Sequence, residues 1–258
     1  MTCRRLVDVV NPLGWLVVAV AIGVWQLAIT EKIVDFNYMP PPSEIAAAFS
    51  DLLSSGEMGR AVWHTLQATL ISAALGIGLG VGLGMAVGLV NVVRTYTMGT
   101  IDFLRTVPVV ALMPVALLVW GASATSEIIV AAYAALWPTL INTAAAVRNV
   151  HPVKRDVGRT FRISRLDTLR KVVLPVATPA ILVGARLSVV IALVVTIVAE
   201  MIINPHGIGY GLVFSQQSLH PDEMWAYAIV SGILGYVLNA LLIQIVRRGG
   251  ANLGVQPE

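Results

Sequence analysis

The sequence has a single cysteine, Cys3, in 258 residues. That excludes an internal disulfide and leaves no thiolate pair for a structural metal site. Its four histidines, His64, His151, His206 and His220, are far apart, and none falls in a His-Glu-x-x-His pattern. A zinc hydrolase is therefore not expected, nor is any metal site. No Gly-Lys pair occurs, so the loop that cradles nucleotide phosphates, Gly-x-x-x-x-Gly-Lys-Ser/Thr, is missing. Charge is scarce as well. Only 12% of the residues are Asp, Glu, Lys or Arg, against roughly 25% in soluble domains.

The chain is instead rich in apolar residues, at 57%, with a mean hydropathy of +0.82. A soluble fold of this length cannot hide that much apolar surface, so its solvent is lipid. Six runs are long and apolar enough to predict spans: Pro12 to Thr30, Val62 to Val92, Thr106 to Trp120, Glu127 to Val147, Val176 to Ile203 and Trp225 to Val246. The first follows a short basic head and imitates a signal peptide. It ends in Gln26-Leu27-Ala28-Ile29-Thr30 without a small-x-small cleavage site, so a retained helix is expected. The expected fold is all-α, a single membrane domain over residues 1–258. Prolines 108, 114 and 138 fall inside predicted spans, where neighbouring helices satisfy the freed carbonyls. Before the second span, Pro40-Pro41-Pro42-Ser43 precedes apolar residues at helical spacing: Ile45, Ala48, Phe49, Leu52 and Leu53. This predicts an amphipathic outer helix over about 43–56, capped by Ser43.

Six spans place both termini on one side. Of the 17 Lys and Arg residues, all but Lys32, Arg60 and Arg186 fall on that side. The positive-inside rule makes it the cytoplasm. This also accounts for the pI near 9.2 without nucleic acid as a partner.

Gly76, Gly80, Gly84 and Gly88 recur every four residues on one face of the second predicted span, with Gly78, Gly82 and Ala86 as a parallel row. Small faces let helix backbones approach closely in lipid. The ladder serves intramembrane packing, or marks a helix beside a translocation path. Arg186 and Glu200 lie within the fifth predicted span, about 21 Å apart along the axis, and cannot pair with each other. Arg186 either lines the path of an anionic solute or bonds a neighbouring helix. Glu200 is expected near the outer end, within reach of water, in a helix-end hydrogen bond.

The loop over about 148–175 carries eight basic residues against Asp156 and Asp167. Val153, Val157 and Phe161 recur at helical spacing, and Ser164-x-x-Asp167 is a capping signal for a second short helix. Two amphipathic helices meeting near Arg162-Ile163-Ser164 present a knob to a cytoplasmic partner, or else the loop lies on anionic lipid. Gly207-Ile208-Gly209-Tyr210-Gly211 imitates a potassium-channel filter, but Asn204-Pro205-His206 leaves no room for a pore helix before it. An ion channel or a secondary carrier is the rival class.

The loop reads Asp156-Val157-Gly158, three residues, Arg162, nine residues, Val172-Val173-Leu174-Pro175. It resembles the Glu-Ala-Ala, three residues, Gly, nine residues, Ile-x-Leu-Pro loop of permeases from binding-protein-dependent ABC importers. Asp stands for Glu, Val-Gly for Ala-Ala, and Arg162 for glycine. Leu104-Arg105-Thr106-Val107-Pro108, Ala111-Leu112-Met113-Pro114, Ala199-Glu200-Met201 and the Pro-rich stretch at 40–43 are similar to the nitrate, sulfonate and taurine branch. The resemblance implies a type I importer permease fold with cytoplasmic termini and no catalytic site of its own. Asp156, Val157, Gly158, Phe161, Arg162, Ile163, Ser164, Leu174 and Pro175 would dock a cytoplasmic ATP-binding subunit that holds the ATP. A second permease, the same chain or a different one, and an extracytoplasmic solute-binding protein would complete the importer. Its solute would be a small anion, sulfonate or related nutrient.

Overall fold

The computed structural model describes residues 12–33, 38–151 and 164–251, and every regular element among them is helical. In chain order these are α1 (Pro12–Thr30), α2 (Pro42–Ser54), α3 (Glu57–Leu89), α4 (Asn91–Thr106), α5 (Val109–Trp120), α6 (Ala124–Arg148), α7 (Leu174–Ile202), α8 (Ile208–Gln217) and α9 (Pro221–Ala251). A short lead-in, Arg165–Thr168, and one π turn, Leu169–Val173, run into α7. Pro175 lies just after that turn. A proline cannot donate to the carbonyl four residues back and its ring crowds that carbonyl, and the wider π turn accommodates both effects.

Among the described residues five helices are long and apolar enough to cross a membrane: α1, α3, α6, the run through α7, and α9. The expected third span is where the structure departs from the sequence reading. Alone, α5 has 12 residues, about 18 Å at 1.5 Å per residue, against a hydrocarbon core of about 30 Å. It qualifies only together with α4, to which it is joined by an 86° bend. Pro108 is the physical cause. It disfavours helical geometry at the preceding residue, and Val107 is extended (φ −62, ψ 123). The polar α4 carries Arg105, paired to Asp102 at 3.0 Å.

The chain forms two compact units, Met1–Gly59 with Gly211–Ile229, and Arg60–Tyr210 with Val230–Glu258. In the first, α2 buries Ile45, Ala48 and Leu52 and leaves Phe49 and Leu53 exposed. Ser43 is not its cap. Pro41 is the N-cap residue and makes no side-chain bond, and the amide of Ser43 instead donates to Gln26 Oε1 of α1 at 3.0 Å. Trp225 packs edge-on against Trp25, ring centres 5.6 Å apart, and donates its indole N–H to the carbonyl of Tyr38.

The second unit is a packed core of small side chains. A β-carbon added at Gly76, Gly80, Gly84 or Gly88 would lie 2.6–2.9 Å from atoms of α6, including the backbone carbonyls of Ala132, Leu136, Leu140 and Ala144. One added at Gly78 or Gly82 would meet nothing within 4 Å. The face carrying the ladder is thus pressed onto α6. Along α7, Ser188 donates to the carbonyl of Ala135 and shares a 2.7 Å bond with Thr139. Hydroxyls of this kind bind helices together where lipid supplies no hydrophobic drive. Ala73, Ala135, Val189 and Ala192 form one buried cluster, and Met113, Ala116, Val130, Ala199 and Ile203 another.

Candidate functional site

Where α3 and α6 begin and α7 ends, the second unit buries a polar cluster. His64 and Thr65 come from the first turns of α3, Glu127 from the first turn of α6, and Glu200 from the last turn of α7. Asn204 follows directly in the connection to α8. Glu127 and Glu200 are 0% and 1% exposed, so water does not reach Glu200 as the sequence led us to expect. Its carboxylate takes the Thr65 hydroxyl at 2.7 Å and the Gly209 amide at 2.8 Å. Thr65 Oγ in turn accepts the amide of Ile208 at 3.0 Å. Glu200 and Thr65 together therefore satisfy two of the amide groups that the first turn of α8 leaves without intrahelical partners.

The glycines of the filter-like segment serve this closure. Gly207 has φ +95, a backbone conformation that side-chain-bearing residues rarely adopt. A β-carbon at Gly207 would collide with the Glu200 carboxylate, and one at Gly209 with the carbonyl of Ile197. The segment is a turn folded onto Glu200.

Glu127 Oε2 lies 3.3 Å from His64 Nε2 and accepts the Asn204 amide, which is itself 3.0 Å from His64 Nε2. Asn204 Oδ1 is 3.2 Å from His206 Nδ1, and the two imidazole rings are 5.6 Å apart. One atom from each of His64, Glu127 and Glu200 lies within 4.8 Å of the others. Sequence reasoning missed this group and named only Glu200 among its members as a candidate. Residues 64, 127 and 200 meet only through the packing of three helices. The one available signal was an ionisable residue at the end of each of three apolar runs.

Arg186 lies in mid-α7 and donates from Nε to Asn239 Oδ1 on α9 at 3.0 Å. It lines a cavity of about 790 Å³ between these helices, whose other lining residues are mostly aliphatic, among them Leu187, Val190, Leu193 and Val194. Among the described residues no second charged side chain lines that cavity. Of the loop residues, Asp156, Val157, Gly158, Phe161, Arg162 and Ile163 lie outside the described residues. Ser164 is described, and it forms a reciprocal cap. The amide of Asp167 donates to Ser164 Oγ at 3.1 Å, and that hydroxyl donates to Asp167 Oδ2 at 2.9 Å. Lys171 closes on Asp167 one turn later at 3.2 Å. Leu174 and Pro175 open α7.

Comparison with known proteins places this architecture. Residues 76–248 match the family described as binding-protein-dependent transport system inner membrane components. A protein assigned as the aliphatic sulfonates transport permease of Bacillus subtilis is 31% identical over 239 residues, 91% of this chain and 85% of its own length. The nitrate import permease of Leptolyngbya laminosa is 30% identical, over 89% of this chain and 84% of its own. Among solved structures, a methionine ABC transporter in an inward-facing conformation shares the fold. Its TM-score is 0.65 at 17% identity, covering 76% of this chain and 97% of its own. The chain therefore belongs to the binding-protein-dependent transport system inner membrane components, as a multi-pass inner-membrane permease subunit of an ABC importer.

Proposed function

We propose that this permease forms half of an import pathway for a small solute bearing an anionic group, of the sulfonate or nitrate kind. The observation that carries the proposal is the cavity along α7, where Arg186 is the only charged side chain among the described residues of a mostly aliphatic lining. A lone guanidinium in such a setting gives an oxyanion its counter-charge and a planar set of donors. The names of the relatives point the same way, covering aliphatic sulfonates, nitrate, taurine and bicarbonate. The chain works with cytoplasmic termini and no chemistry of its own. ATP is held by separate ATP-binding subunits docked on the loop from Arg148 to Pro175. A second permease, identical or different, supplies the other half of the pathway, and an extracytoplasmic binding protein delivers the solute.

The test is uptake by the reconstituted importer. Arg186→Gln should leave the complex assembled at wild-type level and abolish uptake, with Arg186→Lys retaining part of it. Asn239→Ala, which removes only the guanidinium's partner, should lower uptake less. If Arg186→Gln instead lowers the amount of folded complex, Arg186 is a tie between α7 and α9 and the anion assignment falls.

A further inference from the structure

The polar cluster at the ends of α3, α6 and α7 has no role in the pathway described above, and its hydrogen bonds do not close. Glu200 is served by Thr65 and by the Gly209 amide. Glu127 is fully buried, yet only Oε2 receives a donor, from Asn204, and Oε1 has no partner. A buried carboxylate oxygen without a donor or a counter-charge is strongly disfavoured.

The triangle of His64 Nε2, Glu127 Oε2 and Asn204 Nδ2 adds a second conflict. When the Asn204 amide donates to both neighbours, His64 Nε2 and Glu127 Oε2 face each other at 3.3 Å as two acceptors. Protonating Nε2 cures that contact and sets its N–H against the Asn204 amide hydrogens. Turning the amide over cures the second clash and places Asn204 Oδ1 against Glu127 Oε2. With Glu127 ionised, each arrangement of hydrogens leaves one like pair in contact, and a proton on Glu127 or a cation relieves it.

A cation relieves the same contacts and, unlike one shared proton, balances both buried carboxylates, Glu127 Oε1 included. We infer that His64 Nε2, the carboxylates of Glu127 and Glu200, and Asn204 Oδ1 after rotation of its amide form a site for a first-row divalent cation such as Zn²⁺. The ligand types fit, because imidazole with carboxylates suits zinc and its neighbours in the first row. The geometry fits as well. Tetrahedral zinc with bonds of about 2.0–2.2 Å separates its ligand atoms by roughly 3.3–3.5 Å; the His64–Glu127 edge is already 3.3 Å, and the Asn204 edges, 3.0 Å to His64 and 2.5 Å to Glu127, open by up to about 1 Å as the ion enters. Glu200 lies within 4.8 Å and closes by a side-chain shift on the order of 1 Å, keeping its second oxygen on the Gly209 amide. Once turned, the Asn204 amide nitrogen faces His206 Nδ1, which accepts in its other tautomer. The dication balances two buried carboxylates. The His64 side chain is 26% exposed, which gives the ion a way in. Bound there, the ion pins the starts of α3 and α6 to the end of α7.

The experiment uses the untagged importer complex, stripped with a chelator and dialysed against Zn²⁺ alone. One zinc per permease chain should be retained, and Co²⁺ should give the visible ligand-field absorption of a four-coordinate site. His64→Ala should weaken zinc affinity by more than the roughly 10- to 100-fold that outer-shell changes cost. Asn204→Asp replaces a neutral ligand by an anionic one and should tighten zinc binding about 10-fold or more. This second variant keeps the test decisive if His64→Ala fails to fold. Failure of the wild type to retain zinc at low micromolar free metal would overturn the site. So would retention that neither variant alters, and the cluster would then be a carboxyl pair sharing a proton.

Discussion

A single methyl group placed on either row of the α3 glycines separates packing from propensity. At Gly84 an added β-carbon would lie 2.6 Å from the carbonyl oxygen of Leu140 and 2.7 Å from Thr143 Cβ. Ordinary contact begins near 3.4 Å, so α3 and α6 must part locally by about 0.8 Å (3.4 − 2.6). The obstructing atom is backbone and cannot rotate away. Overpacking of this kind costs about 1–3 kcal/mol. At Gly82, two residues earlier, the same methyl group meets nothing within 4 Å. Both substitutions gain the same helix propensity, about 0.5–1 kcal/mol for Gly→Ala. That gain cancels when the two variants are compared. Gly84→Ala should therefore be less stable than Gly82→Ala by about 1–3 kcal/mol, roughly 5- to 150-fold in the folding equilibrium. The assay is the folded fraction of the purified complex in graded denaturing detergent. Gly82→Ala should match or slightly exceed the wild type. Equal stability of the two variants would refute the close approach of α3 to α6.

Other substitutions test other parts of the molecule. Thr65→Val keeps shape but strips a donor from Glu200 Oε1 and an acceptor from the Ile208 amide, so a loss of about 1–3 kcal/mol per orphaned group should appear as a lowered thermal midpoint. Thr65→Ser should restore most of it, and a valine variant of wild-type stability would contradict the geometry. Reporters fused after Arg94, within Lys154 to Arg170, and after Arg248 should read as cytoplasmic, and those near Gly56, Ser123 and His220 as external. A cytoplasmic signal at Gly56 would reverse the proposed orientation. Phe161→Ala should leave membrane insertion intact and release or uncouple the ATPase, with a loss of about 2 kcal/mol or more in binding, read by co-purification and by solute-stimulated ATP hydrolysis. Unchanged values for both would remove Phe161 from the docking element.

The sequence by itself determined the class of solvent, the approximate spans and one helix cap, because each is a local property. Lipid demands about 20 apolar residues in a row, and the ends of α1, α6 and α7 fall within a few residues of where hydropathy put them. The Ser164–Asp167 cap spans three residues and is complete within them. The glycine period of four identified a close-packing face, though not which helix it meets. Other features required the tertiary structure. Val107-Pro108 bends the third apolar run away from α4, and a short span beside a polar helix looks like one span to a hydropathy window. Ser43 lies inside α2 instead of capping it, and its own amide is taken by Gln26, 17 residues away in sequence. The cluster of His64, Glu127, Glu200 and Asn204 carries no periodicity or motif, because its members lie 63 to 140 positions from His64. They meet because α3 lies against α6 through its glycines while α7 bonds to α6 through Ser188, which brings one end of each helix to the same place. Burial then sets their chemistry, since a carboxylate that would be unremarkable in water must there find a donor, a proton or a metal.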